Sequence, residues 1–225
     1  MIVASHQPNF LPYMGYFYKM YMCDVFTLSD AVQFSRRGYH NYNFITAPNG
    51  TVSKITVPVN GHSGAINEIE LSQWEHNRKK IWKRLCGEYC HAPYFNDLKC
   101  SFEGIFSSDF KLLSELNKEL IETIHQLFGF DCKLVLESDL HLVGGTATEQ
   151  IADICRKTDC GVYLSGTGAK EYLDEDYLKK NGLEVQWSAY EPLQGVNPSV
   201  FDYLMKHGPN VPDDWKKQKE VLLGG

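Results

Sequence analysis

With 225 residues, 43% hydrophobic and 22% charged, the chain can bury a real core and fits one large domain, or one domain with a small subdomain. Its formal net charge of −6 excludes an overall basic footprint for nucleic acid. No apolar run reaches the ~20 residues of a membrane span, the opening MIVASHQPNF lacks the cationic lead and apolar stretch of a signal peptide, and seven cysteines, an odd number in so long a chain, suit reduced thiols in a cytoplasm better than a secreted disulfide framework.

Ile2–Ser5 reads as a short buried strand. A loop stiffened by Pro8 and Pro12 follows, then an aromatic-rich helix over Tyr13–Met22 and a β-branched strand over Asp24–Ser29. Two strands joined by one short helix predict a right-handed βαβ unit. Asn41–Ala47 and Thr51–Val59 flank Pro48-Asn49-Gly50, a hairpin signal because Asn and Gly both tolerate positive φ.

Trp74–Tyr89 and Asp109–Phe128 are the predicted helices of the middle segment. In the second, Phe110, Leu113, Leu116, Leu120, Ile124 and Leu127 recur at steps of three and four, and Gly129 stands where a left-handed cap is wanted. Alternation then resumes: a strand over Lys133–Glu137, a helix opened by the capping-box pattern Thr146-Ala147-Thr148-Glu149, a strand over Gly161–Leu164, a helical Ala169–Leu173 and a strand over Leu183–Ala189. This pattern predicts an α/β fold: an open, mostly parallel, Rossmann-like doubly wound sheet, with an antiparallel hairpin insert at about 39–60 and a helical segment at about 72–130. Residues 1–208 are expected to form a single unit, and 209–225 a polar, loosely held tail.

Ligands of open parallel sheets bind where strands end and helices begin. Two loops qualify. His6-Gln7-Pro8-Asn9 through Tyr13 and Tyr16 packs a titratable ring, amides and phenols into a rigid segment. Ser165-Gly166-Thr167-Gly168 offers successive amides for an anion or a sugar hydroxyl, or is a tight turn that needs glycine for steric reasons. A third cluster follows the second strand: Asp30, Gln33, Arg36, Arg37 and Asn41, whose arginines suit a phosphate or carboxylate, or else form a solvated basic pair. Asn67, Glu68 and Trp74 come after the hairpin, Trp74 as a stacking face or as core. Cys86, Cys90, His91 and Cys100 have a loose metal-like spacing without any C-x₂-C pair, so no metal site is assigned.

The ordered set HQPNFLPYMGYFYKM, DVFTLSDAVQFSRRGYHNYNFI, ITVPV, INEIEL, TEQIADIC and VYLSGTGAKEYLD, with a Tyr-rich segment ending near Pro198, resembles the WbqC-like protein family over about Ile2 to Gly208. The resemblance implies a bacterial protein of O-antigen or other surface-polysaccharide biosynthesis, and suits acyl or aminoacyl transfer to an amino sugar; it names no cofactor. On that reading His6 is the general base, Asp30 orients it, Arg36 or Arg37 holds the phosphates of a nucleotide sugar, and Ser165 with the Gly166–Gly168 amides holds a second anion or an oxyanion. The expected partners are a nucleotide sugar and an acyl or aminoacyl donor or carrier protein. A fainter similarity in layout, to HxGH nucleotidyltransferases and pantothenate-synthetase-like ligases, implies an alternative ATP-dependent ligase, with Tyr13 and Tyr16 where those enzymes carry histidines. A non-catalytic sugar-nucleotide binding subunit is the other alternative.

Overall fold

The elements run in chain order from β1 (Ile2–His6), α1 (Met14–Met22) and β2 (Val25–Leu28) to β3 (Tyr42–Thr46), β4 (Val52–Thr56), β5 (Val59–Asn60) and β6 (Glu70–Leu71). They continue with α2 (Trp74–Tyr89), α3 (Phe95–Ser107), α4 (Leu113–Phe128), β7 (Lys133–Leu136), α5 (Glu137–Leu140), α6 (Ala147–Lys157), β8 (Val162–Ser165), α7 (Glu175–Lys180), β9 (Glu184–Trp187), α8 (Val200–His207) and α9 (Asp213–Gly224). The computed structural model describes residues 1–191 and 197–224. Part of the Tyr-rich segment noted above lies outside the described residues. Contacts divide the chain into two compact units, each built from separated segments.

The first unit takes Met1–Gln7, Gly15–Ala31 and Phe130–Glu191. Its sheet has the order β7-β2-β1-β8-β9, and every neighbouring pair is parallel. The chain builds outward from β1 to β2 and β7, then returns to the other side of β1 with β8 and β9. The order therefore reverses between β1 and β8, the switch point where open α/β sheets leave a crevice at their carboxyl edge. Alternation assigns the faces. Val3, Val25 and Tyr163 pack with Ile151, Ile154 and Cys155 of α6 and Leu178 of α7. Phe26 faces the other way, where the ring of Tyr16 from α1 lies 5.1 Å from its own. α6 starts as its capping box predicts: Thr146 Oγ1 accepts from the Glu149 amide at 3.3 Å, and Glu149 Oε2 accepts from the Thr146 amide at 2.7 Å.

The second unit takes Pro8–Met14, Val32–Gly129 and the described part of Pro192–Gly225. The hairpin forms in the expected register, Tyr42 opposite Thr56 and Thr46 opposite Val52. Its turn differs from the expectation. Only Gly50 is left-handed, at φ 82°, and the Gly50 amide donates to Ala47 O at 2.9 Å. Pro48 and Asn49 thus form an ordinary turn, and glycine alone supplies the positive φ. α2 spans its predicted residues, and Gly129 caps α4 at φ 65°. α4 starts four residues later than expected. Leu112 is extended in a bridge to Glu70, and its amide is taken by Glu115 Oε2 at 2.9 Å.

Five helices of the described residues went unrecognised in the sequence: α3, α5, α7, α8 and α9. α3 buries Phe95, Leu98, Phe102, Ile105 and Phe106, a stripe diluted by the polar residues between them. Its Phe102 meets Phe201 of α8 edge-on at 4.9 Å. The expected loose tail instead carries α9, whose Trp215 is buried.

Candidate functional site

The first unit brings two of the expected loops side by side. Ile2, Val3 and Ala4 of β1 pair with Val162, Tyr163 and Leu164 of β8. The next residues in that register are Ser5 and His6 beside Ser165 and Gly166. His6 is half-buried, with its ring 4.7 Å from that of Tyr16. His6 Nδ1 lies 3.2 Å from Gln7 O. A carbonyl only accepts, so Nδ1 carries the proton and Nε2 is the basic nitrogen of the ring.

Tyr16 itself is fully buried and also packs against Phe17 and Phe26. It is a core residue under His6 rather than the exposed substrate contact expected of it. The expected amide nest is not formed either. Gly166 is extended at φ −72°, ψ 149°, Gly168 is not left-handed, and Thr167–Glu171 is a single 3-10 stretch. A methyl group placed on either glycine would meet nothing within 4 Å, so sterics do not require glycine there. What the two residues provide is open space beside the β8 carboxyl end. Ser165 is buried, with its hydroxyl on Gly166 O at 3.3 Å, and Thr167 is exposed.

A residue that sequence reasoning passed over dominates this edge. Glu137 follows β7 directly and is 8% exposed. Its Oε1 accepts from Thr27 Oγ1 at 2.7 Å, from Ser29 Oγ at 2.8 Å and from Ser5 Oγ. Ser5 and Ser29 also touch, at 2.7 Å. Placed inside the predicted strand Lys133–Glu137, Glu137 looked ordinary; an acid at the carboxyl end of a buried parallel strand was the available signal. Asp30 is buried and turned toward the same segment. Its two oxygens accept from Ser138 N at 3.0 Å and Ser138 Oγ at 2.7 Å, which anchors the residue next to Glu137.

Lys19 of α1 is buried, and its Nζ donates to Ser5 O at 3.0 Å. Burial lowers its pKa from 10.5 to about 8. Between those values the unfolded chain holds a proton that the folded chain lacks, so stability rises with pH across that window. Below pH 8 the burial costs about 3 kcal/mol. Lys19→Met, which keeps the stem but loses one hydrogen bond of about 1 kcal/mol, is expected to be more stable than wild type at pH 7 by about 2 kcal/mol. Urea unfolding at pH 7 and pH 10 should show that advantage shrinking at the higher pH; a constant difference would mean that folding does not lower the Lys19 pKa.

Nine of the expected site residues belong to the second unit. Arg36 and Arg37 are exposed, and among the described residues no carboxylate pairs with either. Gln33 is exposed and bridges Ala65, which sets its strand segment beside Asn67 and Glu68. Glu68 Oε2 accepts from the Ala65 amide at 3.0 Å, and Asn41 Nδ2 donates to Val57 O at 2.9 Å, so both have structural roles. Tyr13 is half-buried in a bridge with Ser199, and burial raises its pKa. Trp74 is 5% exposed, donates to Ser108 O at 3.0 Å and packs against Phe106 and Phe110. Its faces are used by the core rather than offered for stacking, although its edge lines a cleft of about 490 Å³ with Gln73, Glu75, His76 and Lys79.

Asn9 is buried in a loop that two other asparagines clamp. Asn43 Nδ2 donates to Phe10 O at 3.2 Å and Leu11 O at 2.7 Å; Asn117 Nδ2 donates to Pro8 O at 2.8 Å and His40 O at 2.7 Å. His40 is buried as well, and burial lowers its pKa to about 4, so the ring is neutral at pH 7.

Among the described residues no group of three or more His, Cys, Asp or Glu side chains is arranged to hold a metal ion, and no helix is long and apolar enough to cross a membrane. The family model of the WbqC-like proteins matches residues 7–213. A protein of Mycobacterium tuberculosis (strain ATCC 25618 / H37Rv), described as uncharacterized protein Rv1507c, is 29% identical over 227 residues, which cover 94% of this chain and 96% of that one. No solved structure matches the chain.

Proposed function

The chain belongs to the WbqC-like protein family, and from that premise we propose that it is a transferase that acylates or aminoacylates a nucleotide-linked amino sugar in bacterial surface-polysaccharide biosynthesis. The observation that carries this reading is the switch point between β1 and β8, with the basic Nε2 of His6 on one strand end and two glycines under open space on the other. As the sugar nitrogen or hydroxyl attacks the carbonyl carbon of the donor, His6 takes its proton, and the same proton then leaves with the departing group. One bond to the carbonyl carbon forms, one breaks, and no oxidant or reductant is consumed. Gly166 lets backbone and substrate approach closely.

The test is a thermal-stability screen with UDP-glucosamine, UDP-glucose, acetyl-CoA and ATP with magnesium. A sugar nucleotide at 100 times its Kd is expected to add about 2.7 kcal/mol of stability. Gly166→Leu should abolish that protection while leaving the unliganded melting temperature near the wild-type value. Protection by ATP alone would replace this reading with the ligase alternative.

A further inference from the structure

The carboxyl edge of the β7-β2-β1-β8-β9 sheet carries opposite charges at its two sides, both on one face. Alternation puts Ser5 and Thr27 on the face of Val3 and Val25, which packs against α6, and their hydroxyls fix Glu137 there. Trp187, opposite Ser165 in the β8–β9 register, packs against the same cluster, and Lys170 Nζ lies 5.2 Å from the centre of its ring. Tyr16 and the His6 ring belong to the other face, with Phe26. Glu137 is 8% exposed, and no cation lies within salt-bridge distance of it among the described residues. Ser5, Thr27 and Ser29 all donate to Oε1, which fills that oxygen. Oε2 accepts no hydrogen bond among the described residues, and it is not one of the enclosed polar atoms that lack a partner, so it reaches the surface. A carboxylate oxygen held in place, largely stripped of water and left without donors is completed by a ligand that brings them.

We propose that Glu137 Oε2 binds a vicinal diol of the nucleotide sugar and that Lys170 takes its diphosphate. Two adjacent hydroxyls converge on one oxygen and fill both of its open positions with charge-assisted O–H···O⁻ bonds. Lys170 is exposed, and no carboxylate pairs with it among the described residues. The Glu137 charge repels phosphate and Lys170 attracts it, so the ligand lies one way round: diol over β1 and β2, diphosphate toward β8 and β9. Two strand spacings separate β1 from β9, about 10 Å, which is within the length of a nucleotide sugar. The open space at Gly166 and Gly168 lies on that path. One carboxylate surrounded by hydroxyls is a poor donor set for a divalent metal, which takes six or more oxygens or several nitrogen and sulfur ligands. This inference rests on the sugar-nucleotide part of the transferase reading and adds the orientation of the substrate. The diol belongs to the ribose or to the hexose, and the two give different results below.

Calorimetry compares UDP-glucose with its 2′-deoxyuridine counterpart, which breaks the ribose diol, and with UDP-3-deoxyglucose, which breaks both vicinal diols of the hexose. One deoxy probe is expected to bind about tenfold or more weakly than UDP-glucose, the loss of a hydrogen bond to a charged group, and which one it is tells ribose from hexose. Glu137→Gln, which keeps an oxygen for the three hydroxyls, should bind UDP-glucose and that deoxy probe equally. Glu137→Asp, which keeps the charge but withdraws it, should lose most of the preference and serves if Glu137→Gln folds poorly. Lys170→Ala, at an exposed position, should weaken all three probes by the same factor, about two- to fivefold, and leave the preference intact. If UDP-glucose binds and both deoxy probes match it, or if the Glu137 variants keep the preference, the diol site is wrong while the sugar-nucleotide reading stands. Full affinity of Lys170→Ala for every probe would overturn the orientation. If none of the three probes binds, the diol site and the sugar-nucleotide reading fall together.

Discussion

Replacing His6 by alanine is expected to lower turnover about 10²–10⁴-fold, the contribution of a positioned general base, while the fold survives. The loss should fall in kcat. His6 Nδ1–H is held by Gln7 O, so the ring presents Nε2 at a set angle, and alanine removes that nitrogen. The structural cost is small, because the ring is half-buried on top of Tyr16 and none of the hydroxyl bonds to Glu137 passes through it. A loss of about 1 kcal/mol would shift the melting temperature of a chain this size by about 2–4 °C. The assay uses whichever sugar nucleotide and acyl donor the stability screen identifies. Imidazole added to the buffer should restore part of the His6→Ala rate, an effect that a packing defect would not show. Unchanged turnover in a folded His6→Ala variant would remove the base from the mechanism.

What the sequence made legible is local. The capping box at Thr146 and Glu149, the left-handed Gly129 and the hairpin around Gly50 each depend on residues within a few positions of one another, and each was readable as a motif. That β1 and β8 share one parallel sheet was also expected, from the alternation of strands and helices, although their direct pairing was not. The parts that escaped are held by partners far along the chain. Ser5 meets Glu137 across 132 positions, and Asn117 meets Pro8 across 109. No periodicity or spacing encodes such a meeting, so Glu137 read as the last residue of a strand. Tyr16 and Trp74 were ambiguous for the converse reason: an aromatic with a polar tip suits a ligand and a core equally well, and only the packing around it decides.

Asn117→Leu should be among the most damaging single substitutions in the second unit. Asn117 is fully buried, and its two amide protons go to two different loops: Pro8 O at 2.8 Å and His40 O at 2.7 Å. Leucine has nearly the same volume, so the change leaves no cavity and isolates the hydrogen bonds. Both carbonyls would then be buried without a donor, at about 1–3 kcal/mol each. The expected loss is therefore about 2–6 kcal/mol, a large share of the 5–15 kcal/mol typical of a folded domain. Asn117→Asp should be at least as harmful above the carboxylate pKa, since an anion would face two carbonyl oxygens. The segment that Asn117 holds is already under strain, for Leu11 sits at φ 42°, a conformation that costs a non-glycine residue about 1–3 kcal/mol. Asn43 secures the far end of the same loop through Phe10 O and Leu11 O, so the two asparagines, more than Pro8 and Pro12, determine where Asn9 is presented. Urea unfolding gives the number directly. A loss under about 1 kcal/mol for Asn117→Leu would mean that Pro8 O and His40 O find other donors and that the clamp is not what orders the loop.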